Sequence, residues 1–217
     1  QFDKVYTEGI SKITAQDVKY AEDLGFRIKH LGIARRAANG IELRVHPTLI
    51  PSEELIANVN GVKNAVLVQA HAVGPTLYYG AGAGAGPTAS AVVADVIDIV
   101  RDISYTEDGA GTIPQLAFEA LTNVPILSRE QMTTGYYIRL NAEDQTGVLA
   151  DVTTILSRAG ISIDAIMQQS RLKDLIPIVT LTDPVLESKM DEALQQIQAL
   201  PTIHGEIVRI RLESLDN

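Results

Sequence analysis

The chain has 217 residues, 46% of them hydrophobic, enough for one large domain or two ordinary ones with packed cores. A formal net charge of −9 argues against a nucleic-acid surface and against an anionic membrane surface, so neither is expected as a partner. The absence of cysteine rules out a disulfide frame, a thiolate metal site and a thiol nucleophile, and suits a reducing cytoplasm.

Four histidines, His30, His46, His71 and His204, are scattered without ligand spacing, so they read as structural and no metal is expected. No apolar run reaches the roughly 18 residues of a membrane span. The chain opens on Gln1 with no signal-peptide pattern, and it reads as a fragment.

Residues 5–13 are a short mixed stretch. Thr14 stands three residues before Asp17, a capping box with Asp in place of Glu or Gln, and predicts a helix over 15–24 with Val18, Ala21 and Leu24 inward. Gly25 caps it. Residues 27–38 and 41–49 read as strands joined at Asn39-Gly40, a strong hairpin signal. Pro51-Ser52-Glu53-Glu54 opens a short helix to about Val59. Residues 61–73 and 76–79 read as two further strands joined at Gly74-Pro75.

Next comes Tyr79-Gly80-Ala81-Gly82-Ala83-Gly84-Ala85-Gly86, a ribbon of small residues followed by Pro87-Thr88-Ala89-Ser90. Pro87 is expected at the first position of a helix over 89–101, with free N–H groups aimed back over the ribbon. Val92, Val93, Val96, Ile97 and Val100 give that helix a wide apolar face. Two readings stand. Such an end attracts a phosphate-bearing cofactor, or the glycines serve only a tight strand-to-helix turn. Gly80-x-Gly82-x-x-Ala85 fits a loose dinucleotide fingerprint, but no second parallel strand ending in an acidic residue follows. The ribbon is therefore at most a secondary wall of a cofactor site.

Residues 103–135 are turn-rich and read as a linker, with a short helix over 115–121. From Tyr136 a second pattern begins: a strand over 136–140, a polar loop 141–147 with Thr146 as N-cap, and a helix with Val148, Leu149, Val152, Ile155 and Leu156 inward. A strand over 161–169 follows, with Ile161, Ile163 and Ile166 as core content. Lys173-Asp174 then turns into a strand over 176–181. Asp183-Pro184 caps a helix bearing Leu186, Met190, Leu194 and Ile197 that Pro201 ends. A strand over 203–212 closes the chain. The order β-α-β-β-α-β is the ferredoxin-like split βαβ motif. The whole chain is α+β, because its hairpins require an antiparallel component.

Chemistry is sparse. Lys4, Glu8, Lys12, Asp17, Lys19, Lys29 and Glu42 carry no signature that singles out an acid or base, and Asp17 and Lys19 read as a solvated helix face. The loop from Asn141 to Gly147 offers helix-start N–H groups near Gly147, Val148 and Leu149 for a small carboxylate, with Asn141 and Asp144 for an ammonium or hydroxyl. An ordinary capped helix is the alternative.

The stretches Leu24-Gly25-Phe26-Arg27-Ile28-Lys29-His30-Leu31-Gly32 and Val45-His46-Pro47, with the glycine ribbon running into Pro87-Thr88-Ala89-Ser90-Ala91-Val92, resemble bacterial homoserine dehydrogenase. Asp144-Gln145-Thr146-Gly147-Val148-Leu149-Ala150 resembles the Asp-x-x-Gly-Val-Leu-Ala turn of an ACT domain. The resemblance implies residues 1–102 as part of a mixed-sheet catalytic domain, a linker over 103–135, and an ACT regulatory domain over 136–217. It implies an NAD- or NADP-dependent oxidoreductase interconverting aspartate 4-semialdehyde and homoserine, on the route to threonine and methionine, with threonine as ACT effector. Gly82, Gly84 and Ala85 become the cofactor-binding candidates, Gly84 being the best match. Asn141, Asp144, Gly147, Val148 and Leu149 become the effector-binding candidates. The family's Rossmann domain, substrate acid and catalytic lysine have no counterpart here, so no catalytic residue is assigned and the chain alone is expected to be inactive. A homodimer or homotetramer is expected. A second reading is a non-enzymatic amino-acid sensor whose working part is residues 136–217.

Overall fold

The computed structural model describes residues 2–105, 123–168 and 175–215. The contacts divide the chain into two units, 1–57 with 124–217, and 58–123.

The first unit is built on a seven-stranded mixed sheet. Its strands are β1 (Tyr6–Thr7), β2 (Phe26–Ala37), β3 (Gly40–Pro51), β6 (Thr133–Glu143), β7 (Ile163–Gln168), β8 (Leu175–Leu186) and β9 (Ile203–Leu212). The order is β1-β3-β9-β6-β8-β7, with β2 on the other edge of β3. The helices are α1 (Ala15–Asp23), α3 (Val148–Arg158) and α4 (Glu187–Gln198). The segment β6-α3-β7-β8-α4-β9 is the expected ferredoxin-like motif. Its sheet does not end at β9. Thr48 and Leu49 of β3 pair parallel with Arg211 and Leu212, so the amino-terminal hairpin extends the same sheet.

Strand alternation makes two cores. Tyr136, Ile138, Leu140 and Ala142 of β6 face α3 and α4, where they meet Val152, Leu156, Met190, Ala193 and Ile197. On the other face, Tyr137, Val179, Leu181, Val208 and Ile210 are covered by Tyr20 and Ala21 of α1 and by Leu49. Helix α1 starts at the expected capping box: Asp17 N–H reaches toward Thr14 Oγ1, and Asp17 Oδ2 accepts from Thr14 N at 2.9 Å. Its inward face differs from the expected one. Asp17, Tyr20 and Ala21 are buried while Val18 is exposed.

Other boundaries also differ from the sequence reading. The β2–β3 turn is Ala38-Asn39, and Gly40 already pairs with Ala37. Gly40 is needed for a different reason: a Cβ there would lie 2.4 Å from the carbonyl oxygen of Pro125, because residues 125–127 run alongside Ile41. Only a 3-10 turn, Leu55–Asn58, forms where a helix over 51–59 is expected. The N-cap of α3 is Gly147, not Thr146. Ile166 points away from the core and is exposed. Asp183 and Pro184 lie inside β8, and α4 begins only at Glu187. Pro184 is tolerated because it falls where the β6–β8 register shifts, between Thr134 and Tyr136, so no ladder bond needs its missing N–H. The expected turn at Lys173-Asp174 and the helix over 115–121 lie outside the described residues.

The second unit contains an antiparallel hairpin, β4 (Lys63–Ala70) and β5 (Gly74–Ala81), and the helix α2 (Ala85–Tyr105). The hairpin turns at 71–73, with Gly74 at φ +74° supplying the left-handed residue. Helix α2 is longer at both ends than its sequence pattern suggests. Its apolar residues Val92, Val93, Val96, Ile97, Ile99, Val100 and Ile103 are 44–72% exposed. Among the described residues no helix is long and apolar enough to cross a membrane.

Candidate functional site

The glycine ribbon leaves β5 at Ala81 and enters α2 at Ala85. Gly82 N–H donates to the Val62 carbonyl at 3.1 Å. Thr88 N–H donates to the Gly84 carbonyl at 3.1 Å, which makes Gly84 the residue that opens the helix. Pro87 is therefore inside the first turn rather than at its first position. That turn's N–H groups have no partner within a helix, so the missing donor costs nothing, and Ala85 and Gly86 supply the free ones.

The four glycines are not equivalent. Gly84 has φ +122°, which an L side chain rarely adopts. A Cβ on Gly82 would overlap the Asn64 amide at 1.5 Å. Gly80 and Gly86 face open space, with nothing within 4 Å of where a Cβ would stand. Turn geometry thus accounts for Gly84 and the Asn64 side chain for Gly82, which leaves two glycines that internal packing does not demand. Gly82 through Thr88 are all exposed. The residues fit a flat, phosphate-bearing ligand lying along a bare main chain with helix-start donors beneath it.

The second candidate lies at the end of β6. Asn141 is half-buried in the ladder between Pro177 of β8 and His204 of β9. Glu143 accepts from His204 Nε2 at 2.7 Å on one oxygen and from Gln145 Nε2 at 2.6 Å on the other, which ties the loop to the start of β9. Asp144 and Gly147 are exposed. Gly147 has φ +100° and no side-chain cap, so the first-turn N–H groups of Val148 and Leu149 have no acceptor from a capping residue. Val148 is buried and anchors the turn, while Leu149 is half-exposed. The chain thus brings Asn141, Asp144 and the α3 start together in one loop. Two clefts of the same unit lie elsewhere: about 780 Å³ beside Thr154, Arg158 and Ser162, and about 640 Å³ beside Asn39, Glu42, Glu130 and Ser188.

The sequence reading missed three buried ionic clusters: one on Asp17, one on Arg211, and one in which Arg44 meets Glu42 and Glu213. Asp17, expected in solvent, is 0% exposed. Its Oδ1 accepts from Arg139 Nε and from Tyr137 Oη at 3.0 Å; its Oδ2 accepts from Arg139 Nη2 at 3.1 Å and from both Thr14 donors. Burial pushes the Asp17 carboxyl up, but Arg139 and Thr14 more than reverse this and hold it below the ordinary range. In the second cluster, Arg211 binds Glu187 through Nε at 3.0 Å and through Nη2, and Glu8 through Nη1 at 2.7 Å. Tyr6 and Tyr136 donate to Glu8 and Glu187, each at 2.7 Å. Arg129 and Arg209 complete it on Asp191 and Glu187. Three guanidinium groups face three carboxylates, so the cluster is balanced. Burial raises Glu187 while Arg211 and Arg209 lower it further, with a net fall. The capping box signals Asp17 locally, but no single-sequence signal pairs it with a residue 122 positions away.

His46 is also fully buried. Arg44 Nη1 lies 3.3 Å from its Nε2, and a guanidinium can only donate, so Nε2 accepts and Nδ1–H donates to the Pro47 carbonyl at 3.0 Å. The ring is neutral, and burial lowers its pKa to about 4.

Residues 1–97 match the homoserine dehydrogenase family model and residues 136–202 the ACT domain model. A homoserine dehydrogenase of Pseudomonas aeruginosa is 55% identical over the whole chain. The chain belongs to the homoserine dehydrogenase family. Another homoserine dehydrogenase, from Neisseria gonorrhoeae, is 48% identical over 99% of the chain. The crystal structure of a homoserine dehydrogenase from Thiobacillus denitrificans is 56% identical and superposes with a TM-score of 0.90 over 99% of the chain. The chain spans about half the length of these family members: 50% and 49% of the two sequences and 49% of that crystallised chain. A Staphylococcus aureus homoserine dehydrogenase, 22% identical with a TM-score of 0.65, shares the fold.

Proposed function

We propose that this chain is the carboxy-terminal half of an NAD(P)-dependent homoserine dehydrogenase that interconverts L-aspartate 4-semialdehyde and L-homoserine, with threonine as ACT effector. The observation that carries this reading is the exposed ribbon 80–86, within the family-matched segment, where Gly80 and Gly86 have no internal packing role. The nicotinamide supplies hydride transfer when bound. This chain's part is to present Gly82, Gly84 and Ala85 as a wall with no side chain in the way, and to aim the Ala85 and Gly86 N–H groups at negative charge. The chain has no assigned acid or base, so the reacting groups come from the half of the family's length that it does not span. That half also covers the apolar arc of α2, since exposed patches of this kind mark interaction surfaces.

In the ACT portion, the open start of α3 takes the effector's carboxylate, and Asn141 and Asp144 take its ammonium or hydroxyl. Homo-oligomerisation, as dimer or tetramer, and a cytoplasmic setting belong to the same proposal. The test is homoserine oxidation followed by NADH or NADPH absorbance. The full-length protein is expected to turn over and to be inhibited by threonine, and the 217-residue chain alone to be inactive. A full-length protein without homoserine-dependent reduction of either coenzyme refutes the assignment.

A further inference from the structure

We infer that Asp17 is a latch through which strand β6 of the effector domain controls helix α1, so that an amino acid bound at loop 141–149 is read out as a change in α1; this rests on the effector reading above. One carboxylate performs two tasks. It closes the capping box of α1 through the two Thr14 donors, and it receives Arg139 and Tyr137 from β6. Arg139 stands two residues before Asn141, at the edge of the proposed effector loop. The β6–β9 register shifts between those two residues: Arg139 faces Val208, whereas Asn141 faces His204. On the β8 side the pairing runs on in register from Arg139 to Glu143, so the movement a bulge allows here is a local bend of β6 that re-aims its side chains.

The alternation of β6 gives direction to such a movement. Ile138 and Leu140 point into the core under α3 and α4, while Tyr137 and Arg139 point to the α1 side. A ligand drawn against Asn141 and the start of α3 displaces the end of β6 and with it the guanidinium. Asp17 is fully buried and needs that guanidinium to stay charged. When Arg139 shifts, Asp17 follows it and leaves Thr14, or stays and loses its counter-charge. Either outcome loosens the first turn of α1, which carries Tyr20 and Ala21 over the sheet. The element with two arrangements is thus α1, docked and capped or released.

Hydrogen exchange on the 217-residue chain, with L-threonine binding measured in parallel by calorimetry, tests the latch. Saturating threonine is expected to change exchange in α1 by about tenfold. Asp17→Asn removes that response and, by linkage, shifts the threonine Kd by at least about threefold. If Asp17→Asn fails to fold, Arg139→Lys keeps the charge but not the two-pronged geometry, and it is expected to weaken the α1 response. Threonine binding with unchanged α1 exchange overturns the latch and leaves the effector reading intact. An α1 response and Kd at wild-type values in the folded variants overturn it as well. Absence of any threonine heat overturns the effector reading, and the latch with it.

Discussion

The two units meet water in opposite ways. In the first, residues as polar as Asp17, Arg211 and Glu187 are fully or almost fully buried and matched by partners, and both faces of the ACT sheet are covered from within the chain. In the second, a helix of 21 residues shows its valines and isoleucines to solvent. The difference separates a unit whose apolar faces are covered from within from one whose apolar surface is made to be covered. It also moves the natural cut in the chain. The ACT motif is continuous with β3 through Thr48 and Leu49, and α1 roofs its far face.

The largest effect should come from cutting at the family boundary rather than at the physical one. Residues 136–217 alone would expose Tyr137, Val179, Leu181, Val208 and Ile210, and would strip Arg139 and Arg211 of Asp17 and Glu8. That piece is expected to lack a cooperative unfolding transition by circular dichroism. A sharp transition would revive the free-standing sensor as a reading.

Breaking one buried pair tests the comparison directly. Asp17→Ala leaves the Arg139 charge buried and is expected to cost about 3–5 kcal/mol in urea unfolding. The Asp98–Arg101 pair on α2, by contrast, is well exposed, so Asp98→Asn should change stability by less than about 0.5 kcal/mol. Equal effects at the two sites would erase the distinction.

Acid should attack the first unit through His46. Its pKa falls from 6.5 to about 4 on folding, so the unfolded chain binds the proton more readily. Its stabilisation is complete above about pH 6.5 and is lost as pH falls toward 4, by on the order of 3 kcal/mol at about 1.4 kcal/mol per pH unit. His46→Gln should flatten that slope between pH 4 and 6.5. The carboxylates Glu8, Asp17 and Glu187 are held low, so their stabilisation is complete above the ordinary carboxylate range and is lost as pH falls from that range through their depressed folded values.

Much of this architecture was legible in the chain because amphipathic periodicity is local. The strand over 203–212, the Thr14–Asp17 box and Val148, Val152 and Leu156 of the α3 stripe are all written in near neighbours, whereas Leu149, expected inward, is exposed. The errors came where a long-range contact reassigns a local signal. Asn39-Gly40 reads as a turn centre, but Gly40 is there to let Pro125 pass. Asp183-Pro184 reads as a helix start, but a register shift absorbs the proline into β8. Asp17 reads as a wet helix residue because Arg139 is far away in sequence. The candidate sites could be named from sequence because each is one contiguous loop; the ionic clusters could not, because they are assembled from separate strands and helices.

The smallest change in stability belongs to the ribbon, and it gives the most direct test. Gly86 lies in the first turn of α2 with open space at its Cβ position, so Gly86→Ala should leave the fold intact and stabilise the helix by roughly 0.5–1 kcal/mol. If the bare ribbon lies against the coenzyme, that added methyl intrudes on it. In the full-length protein, coenzyme titration of Gly86→Ala is predicted to show affinity weakened by about tenfold, roughly 1.4 kcal/mol, with an unfolding midpoint at or above wild type. Unchanged coenzyme affinity in a variant that folds as well as the wild type would contradict the account.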